Sequence, residues 1–277
     1  MNQAAQPDFL HRRKLERIVM STVLVIMALI WLLPIINAVI RGFAFNGLQN
    51  YIDVIFGDIG GISLWRTYVN SLAIAVIHAV VVTSVSALAG YGFAYLEFRG
   101  KELFYFVVLM FLAVPATSLL VPLFFINREL GLRDNLLAVA LPEAALTLPF
   151  GVLLLRNFAE GLPRSFIEAA AIDGAGHART FFTVFVPLSK PALLNIGALS
   201  MMWSMQDFIF PSLFLTGKEM TTAAQAVQRF QEYLGATPDD IGRYNASLVL
   251  LGVPALIIIG FGLRFITNGL TAGGVKE

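Results

Sequence analysis

Cysteine is absent from this 277-residue chain. A disulfide framework, a thiolate metal site and thiol catalysis are therefore excluded. Charge is scarce as well: Asp, Glu, Lys and Arg together make up 13% of the residues, whereas an ordinary soluble domain carries about 25%. So little charge cannot cover the surface of a soluble protein of this length, nor sustain a disordered chain or a coiled coil. The formal net charge of +1 supplies no broad basic field, which argues against a nucleic-acid partner. A phosphate-cradling Gly-x-x-x-x-Gly-Lys-Ser/Thr loop is missing. Gly100-Lys101 and Gly217-Lys218 lack both the upstream glycine and the hydroxyl. No His/Asp/Glu cluster has metal-ligand spacing, and no nucleophile–base pair suggests hydrolysis.

What is present is apolar. Hydrophobic residues make up 57% of the chain and the mean hydropathy is +0.76, so the solvent is largely lipid. A helix needs about 20 mostly apolar residues to cross the hydrocarbon core. The gaps between charges give six such stretches: residues 18–40, 67–96, 103–127, 135–155 (interrupted by Glu143), 191–215 (interrupted by Asp207) and 244–263. The first is too long for a cleaved leader and lacks a small-x-small cleavage site. The runs are continuous rather than alternating, which excludes a β-barrel. Helices satisfy their backbone groups within the segment, so the expected fold is all-α with six transmembrane helices.

Lys and Arg are distributed unevenly. Twelve lie on the side of the termini and loops 2 and 4, and seven on the side of loops 1, 3 and 5. The positive-inside rule puts both termini in the cytoplasm. Loop 1, with Gly57, Gly60 and Gly61, and loop 5, with a helical stretch over Thr222–Leu234, would then lie outside. Each is either a docking surface for a soluble partner or a plain connection.

Loop 4 is about 34 residues long on the cytoplasmic side, too long for a tight connection. Pro163 suits a first helical position, residues 164–173 are good helix formers, and Gly174 suits the left-handed residue that ends a helix. A second short helix is expected over His177–Phe185, stopped by Pro187. Phe166, Ile167, Ala170 and Ala171 form a small apolar stripe. Such a helix either lies on the membrane surface or is presented to a groove on another protein.

This loop resembles the EAA loop of the permease subunits of bacterial ABC importers. The motif stands as Glu168-Ala169-Ala170, Gly174 and Val186-Pro187-Leu188, with Val-Pro in place of Leu-Pro. Ile172-Asp173-Gly174-Ala175 looks like the carbohydrate-type version, related to the second permease of the maltose system. Asn70-Ser71-Leu72, the Ala89–Ala94 and Phe98–Lys101 stretches, Pro122-Leu123-Phe124, Leu130-Gly131-Leu132 and the Gly269–Lys276 ending also match. Trp203-Ser204-Met205-Gln206-Asp207-Phe208 departs from the family's Trp-Asn-Asp/Glu-Phe.

The resemblance implies a type I importer permease fold forming a single transmembrane domain over residues 1–277. Its core is expected over about 66–266, the coupling loop over 156–190, and cytoplasmic tails over 1–17 and 265–277. It implies a second, homologous permease, two cytoplasmic ATPases that hold ATP and Mg, and an extracytoplasmic solute-binding protein that delivers a carbohydrate. The chain itself would be no enzyme and hold no cofactor, and it would sit in the bacterial inner membrane. Glu168 would contact the ATPase, Ala169 and Ala170 would allow close helix approach, and Gly174 would permit the turn. Asp173 and Lys276 would contribute to the same interface. Alternatives are an importer permease for a polyol, a glycerol phosphodiester or a peptide, or an ion-coupled secondary transporter. The last predicts intramembrane charged pairs and internal repeats, neither of which is evident.

Four polar positions are candidates for the translocation pathway. His78 lies mid-span, as a functional group or as a neutral imidazole bonded to a neighbouring helix. Glu143 either faces a cavity or stays hydrated near the outer interface. Trp203 and Asp207 either bind sugar or form an interfacial pair.

Overall fold

In the computed structural model the chain is described over residues 9–234 and 237–272. The side chains of 9–15, 238–239, 258–259 and 261–272 lie outside that description. Among the described residues thirteen α-helices and one two-stranded hairpin occur in chain order. Helix α1 (Phe9–Gly42) carries exposed apolar side chains from Ile18 to Ile40, Trp31 among them at 77% exposure, and packs along the last helix. It begins inside the segment expected as a tail, because Phe9–Arg17 holds no Gly or Pro and is rich in helix formers. Then come α2 (Gln49–Phe56) and the antiparallel hairpin β1 (Asp58–Ile59) and β2 (Ile62–Ser63). Gly60 and Gly61 turn that hairpin at φ +60° and +81°, conformations that suit glycine.

Helix α3 (Leu64–Tyr95) runs through the middle and packs on both α6 and α10. Its neighbours come unusually close at two glycines. A Cβ on Gly90 would lie 2.6 Å from Leu155 Cβ and 2.9 Å from the Leu155 carbonyl carbon. A Cβ on Gly151 would collide with the Ser86 hydroxyl.

The third expected span is broken. Helix α4 (Lys101–Met110) tightens into a 3-10 turn, and after a second 3-10 turn α5 (Leu120–Glu129) leaves at 96° to it. Pro115 lacks an N–H, and Val114 before it is extended at ψ 120°. Helix α6 (Leu137–Gly161) carries Pro142 and Pro149 yet stays continuous, and it extends five residues past Arg156, where the loop was expected to start. Arg156 explains the extension. It donates to Glu160 at 2.7 Å one turn on, holds Glu102 on α4 bidentately at 2.8 and 3.0 Å, and lies 3.9 Å over the Tyr105 ring.

Helices α7 (Ser165–Ile172), α8 (His177–Thr180) and α9 (Val186–Leu188) follow, with a π-turn at Phe181–Phe185 between the last two. Pro187 does not stop this helix as expected. It sits in the first turn of α9, where an N–H is dispensable. The chain bends by 75° at Ser189 into α10 (Lys190–Gln206). Helix α11 (Ile209–Phe214) completes that stretch after a break at Asp207. Helix α12 (Ala223–Tyr233) opens on a Thr222/Gln225 capping box. Helix α13 (Pro238–Ala272) closes the bundle and runs on into the expected C-terminal tail.

Among the described residues three uninterrupted helices suffice to cross a membrane: Glu16–Gly42, Leu64–Tyr95 and Leu137–Gly161. Two bent pairs, Lys101–Glu129 and His177–Gln206, each suffice together. The α5–α6 and α11–α12 connections are stitched by polar contacts. Asp134 accepts from Thr216 N at 2.6 Å, Thr216 Oγ1 at 2.9 Å and Gly217 N at 3.0 Å. Arg229 donates to the carbonyls of Leu215 and Thr216 and to Thr221 Oγ1.

Replacing Gly90 by Ala should lower the melting temperature of the purified protein. Overpacking against immovable backbone costs about 1–3 kcal/mol, which outweighs the ~1 kcal/mol that Ala gains in helix propensity. Gly92→Ala, with nothing nearer than Leu96 Cδ1 at 4.0 Å, should not lower it. A second expectation concerns pH. The Thr216 and Gly217 amides hold the Asp134 carboxyl below its ordinary range. The folded pKa is depressed, so this contribution is full above the unfolded carboxylate pKa and is lost as pH falls through the folded one. Denaturant titrations from pH 7 to 3 should show a stability loss below about pH 4 that is shallower in Asp134→Asn.

Candidate functional site

The loop between α6 and α10 carries the first group of sequence candidates. Helix α7 ends as its sequence suggested. Gly174 sits at φ +75°, Ala175 N bonds to Ala170 O at 2.9 Å, and Gly174 N bonds to Ala171 O at 3.0 Å. This pair of bonds closes the helix in a Schellman cap. Nothing lies within 4 Å of where a Gly174 Cβ would stand. The two alanines diverge: Ala170 is buried against the chain's own π-turn, while Ala169 faces outward. The apolar stripe divides in the same way. Ile167 is half-buried, whereas Phe166 (48% exposed) and Ala171 remain on the surface, where Ile172 (86%) and Phe182 (68%) join them from outside the stripe. Glu168 and Asp173 are exposed, and among the described residues neither forms an ion pair. Lys276 lies outside the described residues.

An aromatic cluster fixes this segment to α3. Phe181 and Phe185 stack at 5.7 Å, and Tyr91 meets them edge-on and tilted at 5.4 and 5.2 Å. Phe185 is fully buried. Tyr95 Oη donates to Ala159 O at 2.6 Å, and Tyr91 Oη to His177 O at 3.4 Å. Sequence reasoning gave these residues no role, although Tyr91/Tyr95 and Phe181/Phe185 at i,i+4 spacing are the signal that marks one helix face.

The second group converges. His78 from α3, Glu143 from α6, Trp203 from α10 and Asp207 at the α10–α11 break line one open cavity of about 290 Å³. Ala116, at the break between α4 and α5, lines it too. Glu143 is only 6% exposed, and its Oε2 accepts from Ser204 Oγ at 2.6 Å. Its Oε1 has no donor in reach. The group beside it is the Asp207 carboxyl, which is also an acceptor unless one of the two carries a proton. His78 is 1% exposed and makes the cross-helix bonds that the sequence suggested. Nδ1 lies 3.0 Å from Ser200 O and Nε2 3.1 Å from Thr147 Oγ1. A carbonyl only accepts, so Nδ1 carries a proton. The Asp207 carboxylate caps α11, accepting from Ile209 N at 3.0 Å and Phe210 N at 3.3 Å. Trp203 is 45% exposed and edge-on to Phe150 at 5.4 Å. No Lys or Arg is among the residues lining this cavity. Ser200 and Thr147 went unremarked in the sequence, and Ser204 was noted only within the stretch that departs from the family motif, because serine and threonine are common and their pairing depends on helix register. Among the described residues no group of three or more His, Asp or Glu side chains could hold a metal.

Residues 83–272 match the family described as the binding-protein-dependent transport system inner membrane component. This chain belongs to that family. An osmoprotective compounds uptake permease of Synechocystis sp. is 32% identical over 83% of this chain and 75% of its own length. A trehalose/maltose transport permease of Thermococcus litoralis is 31% identical over 95% of this chain and 98% of its own. An arabinooligosaccharides transport permease of Halalkalibacterium halodurans is 32% identical over 83% and 79%. The fold is similar to a chain of a bacterial ABC transporter involved in import of the acidic polysaccharide alginate. That likeness has a TM-score of 0.79 at 22% identity and covers 94% of this chain and 99% of the other. An inward-facing methionine ABC transporter is a more distant likeness, with a TM-score of 0.55.

In this inner-membrane component, Ser204→Ala would leave both Glu143 oxygens without a donor. The cost of such a buried unpaired group is about 1–3 kcal/mol, to be read as a lower melting temperature of the detergent-purified protein. In Glu143→Leu the same serine substitution should cost much less, because the bond is already gone.

Proposed function

We infer that this chain is the permease subunit of an ATP-driven carbohydrate importer. It lines half of the solute path and performs no chemistry of its own. One observation carries the reading: an open cavity that holds the buried polar side chains of His78 and Glu143, and an outward-facing short helix, are joined through the same two helices, α3 and α6. The cavity offers a path for a polar solute. The helix offers a handle, with Glu168, Ile172 and Phe182 exposed and Gly174 left open to the surface. The relatives named for trehalose/maltose and for arabinooligosaccharides support a sugar as cargo. The osmoprotectant permease favours a second reading, in which the cargo is a small compatible solute.

In this reading six spans cross the inner membrane: α1, α3, the bent α4–α5 pair, α6, α10 with α11, and α13. Both termini, the α3–α4 turn and α7–α9 face the cytoplasm, following the excess of Lys and Arg there. Helix α7 seats in a groove of a separate ATPase, with Glu168 and Asp173 making polar contact and Ile172 and Phe182 supplying apolar area. Lys276 can join that interface. A second, related permease completes the path, two ATPases bind ATP and Mg, and an external solute-binding protein delivers the ligand. ATP shifts the permease between states only if these contacts differ between them, and rigid-body rocking of helix groups is the motion they drive.

Gly174→Asp should disrupt the cap and weaken capture of the ATPase in copurification by at least about tenfold, on the scale of one lost interface anchor. An intact mutant complex that hydrolyses ATP normally with ligand-loaded binding protein would refute the coupling role. In proteoliposomes carrying all subunits, uptake should need internal ATP. Uptake driven by a proton gradient alone would refute the importer reading.

A further inference from the structure

Three helices meet at one guanidinium. Arg156 lies on α6 five residues before that helix ends at Gly161, and its side chain is 12% exposed. Each of its nitrogens is engaged. Nε donates to Glu160 Oε1 at 2.7 Å, Nη1 to Glu102 Oε2 at 3.0 Å and Nη2 to Glu102 Oε1 at 2.8 Å. Its Cζ lies 3.9 Å over the Tyr105 ring, and Tyr105 in turn tilts against Phe93 of α3 at 5.4 Å. A planar fork that is paired at its edge and stacked on its face fixes both the distance and the angle between its partners. A lone surface ion pair does neither.

Within this chain α4 depends on that fork. None of its residues is buried. Leu103, Phe104, Phe106, Val107 and Met110 are exposed, and the side turned to the bundle, Lys101, Tyr105, Val108 and Leu109, is only half-buried. Glu102 stands in the first turn of α4, where a carboxylate also suits the helix dipole. The other end of α4 runs through the 3-10 turn Phe111–Ala113 to the break at Pro115 and on to Ala116, which lines the His78–Glu143 cavity. On the Arg156 side, α6 reaches α7 through Leu162, Pro163 and Arg164 alone. The fork therefore joins the root of the α7 loop to a helix whose far end leads into the cavity wall. This connection is separate from the aromatic cluster, which ends on α3.

We propose that Arg156 and Glu102 are positioning residues for transport: their fork makes α4 follow the α6–α7 corner, so that a displacement of α7 moves the cavity wall at Ala116. The proposal rests on the importer reading above and adds a second line of transmission to it, beside the Tyr91–Phe185 cluster. The two lines differ in chemistry. Packed rings transmit a push, but each of their contacts is weak when pulled apart. A bidentate charged pair resists separation as well.

The test uses the complete importer in proteoliposomes, with two readouts. The first is amide hydrogen exchange over residues 101–116 and 156–172, compared without nucleotide and after trapping with ATP and vanadate. In wild type, trapping should change exchange in both segments. In Glu102→Gln it should change 156–172 alone. The second readout is ATP-driven uptake of labelled trehalose, maltose or arabinobiose, set against ATP hydrolysis stimulated by binding protein loaded with the same sugar. Glu102→Gln and Arg156→Gln should each cut uptake about fivefold or more. Stimulated hydrolysis should stay within about twofold, because α7, its cap and the aromatic cluster are untouched. The two changes together should cost no more than the worse single one, since the same bond is lost in all three variants. Arg156→Lys keeps the charge without the fork or the stack and should still fall short of wild type. Wild-type uptake in Glu102→Gln overturns the proposal, and so does an exchange change at 101–116 that persists in that variant. Uptake and stimulated hydrolysis lost in parallel also overturn it, by giving the pair a purely structural role. If Arg156→Gln does not assemble, Glu102→Gln decides, since that side chain is 68% exposed. Uptake of none of these sugars by wild type would instead overturn the carbohydrate-importer reading, and the exchange comparison would still decide the clamp.

Discussion

The contact between α3 and α6 is the constraint on which the other features depend. At Gly90 the backbone of α6 comes too close for a side-chain carbon to fit, and at Gly151 the Ser86 side chain of α3 fills the place of one. Lipid tails are as apolar as leucine, so helices in a membrane gain little from hiding apolar surface and must rely on close packing and on bonds between helices. Small residues at the contact provide the first, and the His78–Thr147 bond between these same two helices provides the second. Both ends of the pair then become fixed platforms. Toward the cavity they carry His78 and Glu143. Toward the α6–α10 loop they carry Tyr91, Tyr95 and Arg156.

The π-turn at Phe181–Phe185 shows how the loop is held on that platform. An extra residue in the turn lets Phe181 and Phe185 stack on each other and against Tyr91 together. The loop that offers α7 to the surface is therefore not a free tether. Its inner face, through Ala170 and Ile167, belongs to the chain's own core, and only its outer face is available to another protein. A push on that outer face reaches α3 through packed rings, which are poorly compressible. The bidentate Arg156–Glu102 pair adds α4 to the same body.

Charge spacing made much of this legible. Gaps between charged residues located α1, α3 and α6, and Gly174 marked the end of α7 by the one conformation it alone adopts easily. The same method missed the break at Pro115. A charge count does not see a missing amide, and the apolar run from 103 to 127 continues across a 96° bend. Pro187 was misread for a related reason: proline ends a helix or begins one, and only the preceding π-turn decides which. The cavity was visible as four separate polar oddities. Their convergence was not, because it depends on the register among α3, α6 and α10. Asp207 was noticed as a possible ligand contact, yet its capping of α11 required knowing that a helix restarts at Ile209.

The broken α4–α5 pair has a consequence for energy conservation in the cell. About 20 Å of helix, Lys101 to Ala113 at 1.5 Å per residue, leads from one face to the break. Ala116, beside the backbone groups freed around Pro115, lines the cavity. Within a membrane, polar backbone is tolerated only against protein or water, and water in this space would satisfy the groups freed at the break. A water-filled chamber deep in the membrane is a short circuit for protons unless one end is always shut. The rigidity of the α3–α6 body thus guards the ion gradients as well as the cargo: a bundle that rocks as a unit closes one mouth as it opens the other.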